Sequence, residues 1–236
     1  MDVLLLIKLL SAHLVADFAL QSKSFCDRKK NLKTVGGWCA QLLHALIHAI
    51  AAYLFVAQWN CWLLPLVIFF SHLAIDVCKS CVKNNSMTIF AADQTAHLLV
   101  LAFVYSCLLG GGWVAPDLNC DKIWVIVLAY LLVLSPAAIF INIFNERFGK
   151  QADGKSLPSG GKTIGYLERI LIVTFILSGW IEGVGYLLAA KSVFRFGDLK
   201  NNKELKRTEY VLVGTFLSFA IAVIVGVVAK YYESIC

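Results

Sequence analysis

Charge is what this sequence has least of. Of its 236 residues 15 % are Asp, Glu, Lys or Arg and 59 % are hydrophobic, with a mean hydropathy of +0.75. Soluble domains carry about 25 % charged and about 45–50 % apolar residues. A water-soluble globular fold is therefore excluded, and intrinsic disorder with it. The N-terminal stretch 2–10 has no basic lead-in and no small-residue cleavage site, so it reads as a retained first span. The eight cysteines lack the spacing of a disulfide framework. Cys78-Lys79-Ser80-Cys81 is a lone Cys-x-x-Cys at a helix end and reads as packing rather than a redox or metal site. The net charge of +6 sits in interhelical loops, where membrane topology alone requires it, so no nucleic-acid partner is implied.

What the chain does contain is a series of apolar stretches of about 17–22 residues, each able to cross a bilayer. Hydropathy places helices near Val3–Gln21, Trp38–Ala57, Trp59–Cys78, Ile89–Leu109, Lys122–Phe144 and Glu209–Ala229. The segment 163–194 is too long for one span and too short for two. Ser178-Gly179-Trp180 and Gly183-Val184-Gly185 predict two short helices joined there, which cross the membrane or form a re-entrant hairpin. The expected fold is all-α: one polytopic membrane domain over 1–236 with about seven transmembrane helices, or five to six with a re-entrant hairpin. Seventeen lysines and arginines fall in the loops after the first, third and fifth helices and before the last one. Only Lys122 and Lys230 fall in the alternate loops. The positive-inside rule then puts both termini outside and the basic loops in the cytoplasm.

All five histidines lie in the first four expected helices, each four residues from another histidine or an aspartate. The pairs are His13 and Asp17, His44 and His48, His72 and Asp76, and Asp93 and His97. Residues i and i+4 share a helix face, with Cβ atoms about 5–6 Å apart, which suits the joint grip of a cation. Imidazole and carboxylate are ligands for zinc, and equally for iron or manganese. Measured from the cytoplasmic helix ends, all eight fall roughly 3–15 Å into the membrane at about 1.5 Å per residue. Ionisable groups in hydrocarbon are costly and mark function.

The pairs also repeat. Ser11-Ala12-His13-Leu14-Val15-Ala16-Asp17 followed by His44 and His48 is echoed by Phe70-Ser71-His72-Leu73-Ala74-Ile75-Asp76 followed by Asp93 and His97. Residues 1–109 thus read as two parallel hairpins supplying four ligands each, enough for a centre of up to two divalent ions. Gln21 and Gln94 adjoin the same faces as hydrogen-bond partners or ordinary helix-end amides.

The string His13-Leu14-Val15-Ala16-Asp17-Phe18-Ala19-Leu20-Gln21, with His72-x-x-x-Asp76 and Asp93-Gln94-x-x-His97, resembles a family of bacterial multi-pass membrane proteins of unknown function. Leu167-Glu168-Arg169, Lys191-Ser192-x-x-Arg195-Phe196 and Glu209-Tyr210 followed by Gly214-Thr215 resemble that family's second half. The resemblance implies residence in the bacterial inner membrane and supplies no activity. More distantly, the paired ligands are similar in style to those of membrane-bound metal-dependent hydrolases.

Residues 110–236 carry charge without histidine and read as a supporting half. Glu168, Arg169, Lys191 and Arg195 are expected on the cytoplasmic side, either as ion pairs and snorkelling anchors or as a cationic wall for an anionic head group. In the second case Arg169, Lys191 and Arg195 bind substrate, and Glu168 or Gln94 is a candidate catalytic group. Ser159-Gly160-Gly161-Lys162-Thr163 lacks the first glycine and the preceding strand of a phosphate-binding loop and reads as a plain loop. The function expected from these residues is metal-dependent hydrolysis or transfer of a lipid-linked anionic group at the inner leaflet. Transport of a divalent cation or small solute, and a sensor or structural role, are the alternatives.

Overall fold

The computed structural model describes residues 3–82, 87–110, 121–145, 160–196 and 205–235, and among these every regular element is a helix. In order they are α1 (Val3–Leu14) running into a π-turn (Val15–Ala19), α2 (Lys23–Lys29), α3 (Val35–Val56), α4 (Leu63–Cys81) and α5 (Met87–Gly110). Then come α6 (Asp121–Val133), α7 (Ser135–Asn145), α8 (Gly160–Leu177), α9 (Glu182–Phe196) and α10 (Leu205–Ile235). Among the described residues five stretches are long and apolar enough to span a bilayer: Val35–Val56, Leu63–Cys81, Met87–Leu108, Lys122–Asn145 and Leu212–Ser234. The bent pair Val3–Ala19 and Lys23–Lys29, angled at 93°, makes a possible sixth. The helical fold is as expected, and by length and composition the described residues hold five to six candidate spans, the lower of the two expected counts. α8 and α9, of 18 and 15 residues, are joined at Ser178–Ile181, where Gly179 adopts a φ of 81°. That is the break expected at Ser178-Gly179-Trp180.

The chain divides into two compact units, Met1–Trp124 and Val125–Cys236. In the first, α1 packs on α3, α3 on α4, α4 on α5 and α5 back on α1, so four helices close a ring. Their inward faces follow a helical stripe. On α4 the buried residues are Leu64, Ile68, His72 and Asp76, each four after the last. One end of the bundle is thus filled by an apolar core that includes Leu5, Leu9, Ala52, Val56, Leu64, Ile68, Leu101 and Leu108. The other end of the same stripes is histidine and aspartate. The α3 helix turns Leu42, Leu43, Leu46, Ile50 and Leu54 outward while Ala40, Ala45, Ala49 and Ala52 are buried. Small residues inside and leucines outside is the pattern of a helix whose solvent is lipid.

In the second unit α10 packs on α7 and α8, and α9 on α8. The expected span Lys122–Phe144 is broken by a turn at Leu134, between α6 and α7. Pro136 has no N–H to return to the preceding turn. Arg169 compensates from α8: its Nε donates to Val133 O, Nη2 to Leu134 O at 3.4 Å and Nη1 to Ser218 Oγ at 3.0 Å.

Candidate metal centre

Local devices place Asp17 and the helix that carries His44 and His48. The turn from Val15 to Ala19 is a π-helix, closed by Leu20 N donating to Val15 O at 3.0 Å. This extra residue in the turn re-aims Asp17 toward α3, a use to which π-bulges are often put. Thr34 caps α3, its Oγ1 accepting from Gly37 N at 3.1 Å. A Cβ on Gly37 would run into the carbonyl of Asn31, so glycine there lets the α2–α3 loop fold tightly onto the helix. Ser22 caps α2 in the same way, accepting from Phe25 N at 3.3 Å.

The eight side chains meet. Asp17 Oδ1 lies 3.1 Å from His44 Nε2, 3.2 Å from His48 Nε2 and 4.0 Å from His72 Nε2. Asp17 Oδ2 faces His13 Nε2 at 3.5 Å. Asp76 presents Oδ2 to His44 and His72, at 3.5 and 3.6 Å, and Oδ1 to His97 at 3.9 Å. Asp93 Oδ1 is 3.6 Å from His97 Nε2. The rings of His48 and His72 stack at 3.5 Å between centroids, and those of His72 and His97 at 4.2 Å. All five imidazoles are buried, as are Asp76 and Asp93.

These separations can be compared with those around an ion. Ligand atoms 2.0–2.1 Å from a tetrahedral zinc stand about 3.3–3.4 Å from one another. Three groups of side chains bring one ligand atom each within 4.8 Å of all the others in the group: Asp17, His44, His48 and His72; His13, His72 and His97; and Asp76, Asp93 and His97. Nε2 of His13, Nε2 of His72 and Oδ1 of Asp93 are buried and make no hydrogen bond. A buried polar atom without a partner costs about 1–3 kcal/mol. Three of them aimed into one cluster of nitrogen and carboxylate donors fit a cation there, and the donor set suits zinc, iron or manganese. Toward the apolar core the cluster borders a cavity of about 20 Å³, lined by Leu9, Ile68, Ser71 and Leu101 besides the imidazoles. A volume of that size admits about one water molecule.

Two lysines also enter, and sequence reasoning missed them by counting both as loop charges. Lys29 Nζ donates to Asp76 Oδ2 at 2.6 Å, and Lys79 Nζ to Asp93 Oδ2 at 2.5 Å. The available signal was weak: Lys79 follows Asp76 by three residues, whereas nothing in the order of residues ties Lys29 to α4. Gln41, fully buried, ties the loop and α4 together, its Nε2 donating to Lys29 O at 3.2 Å and Ser80 Oγ at 2.8 Å. Gln94 donates to Asp93 Oδ2 at 3.1 Å, and Gln21 Nε2 lies 3.5 Å from His44 Nε2. Cys78 and Cys81 are exposed and unbonded.

The expected substrate-side residues belong to the second unit. Glu168 accepts from Lys191 Nζ at 2.5 Å, and Arg169 is held by the α6–α7 break as described. The side chain of Arg195 lies outside the described residues, although its backbone is in α9.

No curated protein and no solved structure matches the chain. Residues 5–115 match the model of a family described as a protein of unknown function, DUF3307. The match ends before the second-half motifs around Glu168, Lys191 and Glu209, so it bears on the first half alone. The stretch that builds the His/Asp centre is therefore the stretch that is similar to this family of unknown function.

Proposed function

We propose that the protein is a membrane-embedded metal-dependent enzyme, a hydrolase or transferase acting on a lipid-linked anionic substrate at the cytoplasmic leaflet. The observation that carries this reading is the convergence of five imidazoles and three carboxylates from four helices, with buried Nε2 and Oδ1 atoms that no protein group satisfies. A divalent ion bound there would lower the pKa of a coordinated water and polarise a phosphoryl or acyl oxygen. The side chains of α1, α3, α4 and α5 fix that ion in place. Asp17 and Asp76, each dividing its two oxygens between different histidines, hold the imidazoles in register. Gln94, bonded to Asp93, stands where it can orient a substrate oxygen. Arg169 and Lys191, already engaged within their own unit, would meet substrate only by giving up those bonds.

Catalysis is favoured over transport by the filling of the bundle beyond the cluster. Leu9, Leu64, Ile68 and Leu101 close that end with apolar side chains, whereas a transport path needs polar lining on both sides of its site. The test is elemental analysis of protein purified without added metal, with assays of a lipid phosphate or lipid ester in detergent before and after chelation. Bound zinc, iron or manganese and a turnover abolished by chelator and restored by the metal are expected. Absence of any bound transition metal sinks the centre. Metal-driven counterflow in liposomes without lipid turnover transfers the site to transport.

A further inference from the structure

The two hairpins bring equivalent residues to the centre but leave them in different electrostatic states. The first cation position is made by Asp17, His44 and His48 of the first hairpin with His72 of the second. Its counterpart under the repeat is made by Asp76, Asp93 and His97 of the second hairpin, with His13 of the first beside it, the His13 and His97 rings 5.1 Å apart. The first position has one carboxylate and three imidazoles. At the second position both carboxylates already carry an ammonium partner: Lys29 on Asp76 Oδ2 at 2.6 Å and Lys79 on Asp93 Oδ2 at 2.5 Å. The side chain of Lys29 is 11 % exposed and that of Lys79 40 %, and Lys29 reaches Asp76 because α2 is turned 93° from α1.

We infer that the centre binds one divalent ion, at Asp17, His44, His48 and His72, and that Lys29 and Lys79 fill the second cation position permanently. This rests on the metal reading above and specifies it. Charge decides the number. Ligating imidazoles are neutral, and with the buried His13 and His97 counted as neutral too, three carboxylates and two ammonium groups leave one negative charge in the cluster. One divalent ion turns that into a single positive charge, which one hydroxide or one phosphodiester oxyanion neutralises. Two ions would leave three positive charges in a buried site, which low-dielectric surroundings oppose. The surplus charge also gives the substrate class: a group with one negative charge.

The test is metal stoichiometry in the full-length protein in detergent, stripped with chelator, reloaded with zinc alone, desalted and analysed by mass spectrometry. One zinc per chain is expected in the wild type and two in the Lys29→Met/Lys79→Met double variant, where Asp76 and Asp93 are freed to ligate. Asp93→Asn should retain the single ion and His48→Ala should lose it, a pair that decides the matter even if the double variant does not fold. Two ions in the wild type, one in a folded double variant, or loss of the ion in Asp93→Asn overturns the inference while leaving the metal centre standing. No ion in the wild type overturns the metal reading itself.

Discussion

At the scale of single residues the His/Asp cluster and the second-unit charges should separate cleanly. His44→Ala or His72→Ala removes a donor from the position around Asp17 and should weaken zinc binding by about 10–100-fold or more, the range already seen when mere supporting partners are lost. Lys191→Met removes the partner of Glu168 and touches no candidate ligand, so metal content should be unchanged. Equal loss of metal in both variants, read by the same elemental analysis, would mean that the two groups act as one. Arg169→Leu takes their arginine donor from the Val133 carbonyl and the Ser218 hydroxyl, while the Leu134 carbonyl keeps its bond from Ala138 N at 3.1 Å. A cost of about 1–3 kcal/mol per abandoned buried group is expected, measurable as a lower midpoint of thermal unfolding in detergent with metal content unchanged in the surviving fold. The eight clustered side chains were legible because the i, i+4 pairs used every histidine in the chain. Lys29, Lys79 and Gln41 were not, because a lysine at a helix end looks the same whether it faces water or a carboxylate on another helix.

At the scale of elements, the docking of α2 depends on one small residue. Gly37→Ala places a methyl group against the Asn31 carbonyl, where there is no space for it. The loop from Asn31 to Thr34 must then shift, carrying Lys29 with it. We expect a destabilisation of about 1–3 kcal/mol, the usual penalty for overpacking, and faster proteolysis between Lys30 and Lys33 than in the wild type. Gly36→Ala, at an open position one residue away, should do neither. Helix existence and the Gly179 break followed from hydropathy and glycine placement. The π-turn at Asp17, the bend into α2 and the division of α6 from α7 did not, since hydropathy carries no signal for a single extra residue in a turn, and the other two are held by Gln41 and Arg169 from distant positions. At the last of these, next to Pro136, Arg169 on α8 satisfies the Val133 carbonyl and shares the Leu134 carbonyl with Ala138 N.

At the scale of the whole molecule, the four-helix ring of Met1–Trp124 contains every candidate ligand and both lysines. Residues 1–124 expressed alone should therefore keep the zinc stoichiometry of the full chain, and loss of the ion from a folded fragment would show that the centre needs the second unit. The proposed orientation is tested separately: single cysteines at Lys30 and Lys162 in a cysteine-free background should resist an impermeant external reagent in intact cells. Closure of that ring, with α5 returning to α1, also fixes an order of events during synthesis. Chains emerge at about 5–20 residues per second, so Asp17 precedes His44 and His48 by roughly 1–6 s and waits for them. Asp76 emerges to find Lys29 and His44 already made, and Asp93 finds Lys79. Of the three carboxylates in the cluster, Asp17 alone has no lysine already made for it. Asp76 and Asp93 each enter the bilayer with their lysine already made, so the ring can be laid down helix by helix without abandoning either carboxylate to lipid.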